Sequence, residues 1–124
     1  MSKKSKLAKM FAEMNSGIIR IIRVDDECIE FNNGSKIEFD HCADCCEWNY
    51  ADFSQLEELA RKTFFTLPLS FEAVNDYGFR FGNRGKMFFV PCYSEQNGYY
   101  STDIDIYFNK HKVLSFECDY RDYY

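Results

Sequence analysis

Apolar residues recur along this chain with two different periods. Leu7, Met10, Phe11 and Met14 fall at i, i+3, i+4 and i+7, one apolar stripe of a short helix, which Asn15, Ser16 and Gly17 end. Beyond Gly17 the pattern becomes that of strands. Ile18, Ile19, Ile21, Ile22 and Val24 form a β-branched run broken by Arg20 and Arg23. Cys28 to Phe31 and Lys36 to Phe39 alternate with period two around Asn32-Asn33-Gly34-Ser35, a strong hairpin signal. A three-residue loop with a glycine bulge is expected to set Phe31 opposite Ile37 and Ile29 opposite Phe39, with Cys28 facing Asp40. A two-residue loop would set Phe31 against Lys36 and waste the apolar pairing.

After Asp40 the alternation stops. Asp52 or Ser54 can cap a short helix carrying Leu56, Leu59 and Ala60, and Pro68 limits its extension. Strands return at Phe71 to Phe81, interrupted by Asn75-Asp76-Tyr77-Gly78, and at Lys86 to Tyr93, where Pro91 suggests an edge or a strand end. Thr102 to Phe108 alternates cleanly, Asn109 to Lys112 reads as a turn, and Val113 to Cys118 as a last strand. The pattern predicts an α+β fold: an antiparallel sheet of about six or seven strands, an N-terminal helix over 1–16, and a second short helix after the first hairpin. At 124 residues this is one domain, with an α+β core over 17–118 and an acidic-aromatic tail over 119–124.

Composition narrows the function classes. Aromatics are 19% of the chain, which argues against disorder. The net charge of −5, with early lysines at Lys3, Lys4, Lys6 and Lys9, lacks the basic stripe that nucleic-acid binding needs. An acidic surface instead suits a basic protein partner, although the same charge also serves solubility. With no signal-like or membrane-length apolar stretch, the expectation is a cytoplasmic protein without membrane contact. The six cysteines then read as thiols or metal ligands rather than a disulfide framework.

The densest chemistry is His41-Cys42-Ala43-Asp44-Cys45-Cys46-Glu47. Zinc takes imidazole and thiolate ligands, so His41, Cys45 and Cys46 are candidate ligands. Cys28 is the candidate fourth, ahead of Cys92, Cys118 and His111, and Asp44 and Glu47 could orient His41 from behind. Two other readings stand beside zinc: cysteines packed as small buried hydrophobes, and a thiol-dependent enzyme or redox protein using Cys45 or Cys46. No glycine-rich oxyanion or phosphate loop accompanies them, so no catalytic residue is assigned. Paired carboxylates such as Asp25-Asp26 and Glu57-Glu58 read as solvated charge. A second cluster, Glu95 to Ser101, is a tight turn at Asn97-Gly98 followed by Tyr99 and Tyr100. Tyr99, Tyr100, Asp119, Tyr120 and Asp122 are the candidate partner-binding residues, and Trp48, the single Trp, could anchor core or partner.

His41 with Asp44-Cys45-Cys46-Glu47 resembles the H-x-x-D-C-C-E signature of a small domain family of unknown function in bacterial and phage proteins. Asn97-Gly98-Tyr99-Tyr100-Ser101 resembles that family's second signature, and the likeness runs over roughly 17–108. By size and charge the chain is also similar to phage-encoded inhibitors of bacterial defence, including anti-CRISPR proteins. The family implies no activity of its own; the likeness to such inhibitors, taken with the zinc candidates, leads to the expectation of a small, non-enzymatic, acidic binding protein, zinc-stabilised around His41. Its implied partner is basic, such as a CRISPR effector nuclease. The alternatives are the thiol enzyme and a metal-free structural domain.

Overall fold

A computed structural model describes residues 17–40, 47–60, 62–83, 85–96, 98 and 100–122. Eleven strands are found among them: β1 (Gly17–Val24), β2 (Cys28–Phe31), β3 (Lys36–Asp40), β4 (Trp48–Ala51), β5 (Phe64–Leu67), β6 (Ser70–Val74), β7 (Gly78–Asn83), β8 (Lys86–Gln96), β9 (Asp103–Phe108), β10 (His111–Glu117) and β11 (Asp119–Asp122). The single helix among the described residues is α1, Leu56–Ala60.

The strands make two sheets. One runs β10-β9-β3-β2-β1-β5; the other runs β11-β8-β7-β6, with β4 added on β8. Every pairing is antiparallel except that of β11, which lies parallel to β8. Alternation decides which face each strand buries. Ile19, Ile21, Ile29, Phe31, Ile37, Ile104 and Ile106 from the first sheet meet Phe79, Phe81, Val90 and Cys92 from the second in one continuous core. Aromatic edges tie the layers together: Phe65 of β5 lies 5.6 Å from Phe81 of β7 and 5.5 Å from Phe88 of β8.

This corrects the expected α+β fold. A helix-covered sheet would have hidden its apolar face under helices, whereas here a second sheet supplies the cover. The five-residue α1 buries Leu56 against β1 and covers little else. The expected N-terminal helix, 1–16, lies outside the described residues. The acidic-aromatic tail is a strand from Asp119 to Asp122.

Three local features differ from expectation in register or place. In the first hairpin Ile29 faces Ile37, Cys28 faces Glu38, and the Phe31 amide donates to Ser35 O at 2.8 Å. The loop is indeed the three residues 32–34, with Gly34 at φ 89°, but it pairs strands two residues tighter than the apolar match implies. A shift of two preserves faces, so Ile29, Phe31 and Ile37 still enter the core. Pro91 lies inside a central strand, where β8 exchanges partners. Up to Pro91, which stands opposite Gly78, β8 pairs with β7, and beyond it with β4 and β11, so the missing N–H falls at the junction. On β1, Ile22 is the extra residue of a bulge opposite β2, which redirects the strand end toward Asp25.

Candidate functional site

The turn from β1 to β2 is held by one carboxylate. Asp25 Oδ1 accepts the amides of Glu27 at 2.9 Å and Cys28 at 2.8 Å, the Asx-turn geometry that short acidic side chains favour. Those two N–H donors, Glu27 first, hold the Asp25 carboxyl below its usual range. The loop from β4 to α1 uses the same device, with Asp52 Oδ1 accepting the Ser54 amide at 3.0 Å. Both turns expose carboxylates, and they face each other across a cleft.

That cleft has a volume of about 680 Å³ and lies between the β1–β2 turn, β3, β4 and the start of α1. Its carboxylates are Asp25, Asp26, Glu27, Glu38, Asp52 and Glu57, and its aromatic side chains are Phe39, Trp48, Tyr50 and Phe53. No Lys or Arg is found among the described lining residues. Two carboxylates have cationic neighbours outside the cleft: Arg23 Nε lies 3.7 Å from Asp25 Oδ2, and Lys110 Nζ lies 3.0 Å from Glu38 Oε1. Among the described residues, Asp26, Glu27, Asp52 and Glu57 are in no ion pair. Burial pushes the Tyr50 hydroxyl up first, and the Glu95 and Asp52 charges push it further, so it stays a neutral donor.

The aromatic wall continues over the outer face of the second sheet. Trp48 and Tyr50 share one face of β4, because the intervening Asn49 points into the core. Their ring centroids are 4.4 Å apart. Tyr50 stands directly opposite Tyr93 of β8, 5.9 Å away, and Arg121 of β11 stacks over Tyr93 at 5.0 Å. Trp48 is 61% exposed where this strip meets the cleft.

No family model, curated protein or solved structure matches this chain. The site must be read from its own geometry.

His41, Asp44, Cys45 and Cys46 lie outside the described residues, in the 41–46 link joining β3 to β4. Both strands line the cleft. Glu47 is buried at the entry to β4. Cys28 is not opposite Asp40, because the hairpin register puts Glu38 there. Its Sγ lies 3.7 Å from Asp25 Oδ2, and burial pushes its thiol up. Cys92 and Cys118 are core residues whose thiols burial also pushes up, that of Cys118 to about 12. Among the described residues no group of three His, Cys, Asp or Glu side chains is placed to hold a metal. Likewise, no helix among them is long and apolar enough to cross a membrane.

The partner-binding candidates divide between two faces. Asp119 lies opposite Tyr93 on the aromatic strip and pairs with Arg121 at 3.0 Å. Tyr120 and Asp122 oppose Ser94 and Gln96, and Tyr120 stands over Gly98 of the turn. Tyr99 is outside the described residues. The Tyr100 amide donates to Gln96 Oε1 at 2.7 Å, within a buried polar network that includes Asn49 and Ser94. Tyr100 and Ser101 are thus anchored from inside the sandwich through Gln96.

Sequence reasoning missed the cleft: it read Asp25-Asp26 as solvated charge on a turn, Glu57-Glu58 as solvated charge on a helix face and Asp52 as a candidate helix cap. The available signal was their density on either side of Trp48, in 25–27 and 52–58, with no lysine or arginine interspersed.

Proposed function

We propose that this chain is a non-enzymatic binding protein that receives a basic segment of a partner protein in the acidic cleft. The observation that carries the reading is the lining, six carboxylates around four aromatic side chains with no cation among the described residues. Carboxylates beside low-dielectric aromatic walls focus a negative potential. A cationic side chain entering there gains charge-assisted hydrogen bonds and ring contacts together. The partner class suggested by size and charge, a CRISPR effector nuclease, supports the same reading, because a surface that handles nucleic acid is basic. In that role the protein works in the host cytoplasm as an inhibitor and touches no nucleic acid itself.

Capture from cells carrying such a nuclease tests this. The intact chain should recover the nuclease at low salt and lose it as ionic strength rises. The triple variant Asp26→Asn, Glu27→Gln, Glu57→Gln alters exposed positions only and should recover little. Equal recovery by the triple variant, or none by the native chain, rejects the reading.

Zinc on His41, Cys45 and Cys46 is a separate part of the proposal. Cys28 fits the set poorly, because its buried thiol already meets the Asp25 carboxylate. Protein purified without added metal should carry about one zinc per chain. His41→Ala and Cys45→Ser should lower zinc content and melting temperature together. Metal at background level rejects this part alone.

A further inference from the structure

The chemistry of the strip is more specific than its charge. At its β11 end a guanidinium is already in place: Arg121 Cζ lies 5.0 Å from the Tyr93 centroid, and Arg121 Nη2 pairs with Asp119 Oδ2 at 3.0 Å. One ring further on, Tyr50 is 5.9 Å from Tyr93 and 4.4 Å from Trp48. The opposite end of the same ladder, Trp48, is 61% exposed and borders a cleft whose Asp26, Glu27 and Glu57 are in no ion pair among the described residues. Ring and carboxylate recur there without a cation from the described residues.

We propose that the cleft is an arginine receptor, taking the guanidinium of an arginine in the partner's basic segment against Trp48 and Tyr50 in preference to a lysine. This rests on the cleft being the partner site. A guanidinium is planar and weakly hydrated, so it stacks on indole and phenol faces while its edge engages carboxylates in pairs. An ammonium is a compact, strongly hydrated point charge that satisfies the carboxylates but gains less from the rings. A cleft of about 680 Å³ holds one such side chain with the flanking backbone of an extended segment.

Two fluorescein-labelled peptides, identical except for arginine or lysine at every basic position, are titrated against the full chain by anisotropy. Trp48 is the single Trp, so its emission shows directly whether a peptide reaches this site. The arginine peptide should bind roughly ten-fold more tightly and perturb Trp48 emission. Trp48→Ala should bring the two peptides within about two-fold of each other, while Trp48→Phe, which keeps a ring, should retain an intermediate preference. Equal binding of both peptides to the native chain, weakened alike by the Asp26→Asn, Glu27→Gln, Glu57→Gln variant, overturns arginine selection and leaves the cleft as the basic-partner site. A preference that survives Trp48→Ala overturns the placement on Trp48. Binding of neither peptide, or binding indifferent to the triple variant, overturns both the inference and the reading it rests on.

Discussion

Asn49 shows how much one side chain can hold. Its Nδ2 donates to Ser101 O at 3.0 Å and Asp103 O at 2.8 Å, and its Oδ1 accepts Ser94 Oγ. The buried end of the sandwich is polar here, and each group in it must keep a partner. Asn49→Ala should therefore cost about 2 kcal/mol by chemical denaturation, because it takes a donor from Asp103 O and the acceptor from the Ser94 hydroxyl, while Ser101 O keeps Gln96 Nε2. Asp25 acts in the open. Its folded pKa lies below its ordinary value, because the Glu27 and Cys28 amides favour the charged form. The stabilisation is therefore fully present above the unfolded carboxyl pKa, about 3.9, and is lost as pH falls through the lower folded value. Asp25→Ala should melt below the native protein at neutral pH, and the gap should close in acid. A gap that persists or widens in acid would contradict this account. Asp25 was legible in sequence only as charge; its turn role needs the amides of Glu27 and Cys28 to point at it.

Among elements, β5 and β8 depend most on their neighbours. β5 is the edge of its sheet, and its outward backbone groups at Thr66 are occupied by one amide side chain. Asn83 Oδ1 accepts the Thr66 N–H at 2.7 Å, and Asn83 Nδ2 donates to Thr66 O. The side chain imitates a neighbouring strand and closes the edge to pairing with another chain. Asn83→Ala should leave the monomer folded, about 1 kcal/mol weaker, and more prone to self-association in sedimentation velocity. β8 is long because it pairs with β7 along its first part and with β4 and β11 along its second, and β7 approaches so closely that a Cβ on Gly78 would lie 2.1 Å from Val90 O. Gly78→Ala should cost roughly 3 kcal/mol or more in thermal or denaturant unfolding. The alternation in β9, with Ile104 and Ile106 inward, was readable because one face is core and the other water. The short β5 and the closing β11 were not, since Phe64 on the outer face of β5 masks its alternation and three of the four residues of β11 are charged.

At the scale of the molecule, the second sheet decides the fold and buries two thiols between the layers. Cys92 and Cys118 have folded pKa values raised by burial, Cys118 to about 12. A raised thiol pKa gives stability that is complete below the unfolded thiol pKa, about 8.5, and is lost as pH climbs toward the folded value. The native protein should thus lose stability between about pH 9 and pH 12, and a Cys92→Ala, Cys118→Ala variant should show a shallower loss over that range. A slope unchanged in the variant would assign the alkaline loss to other groups. Much of the local structure was determined by sequence alone: the hairpin loop at Asn32 to Gly34, the short helix from Leu56, and the inward set of Ile29, Phe31, Ile37, Ile104 and Ile106. Each depends on neighbours a few residues away, through turn chemistry or the period-two pleat. Only the tertiary structure decided that a second sheet covers the first, because alternation marks a buried face without naming what buries it. It also decided the cleft. Asp25, Asp26 and Glu27 gain meaning from Trp48, Asp52 and Glu57 only when strand pairing carries the two turns to opposite walls, and the resulting potential belongs to the assembled surface.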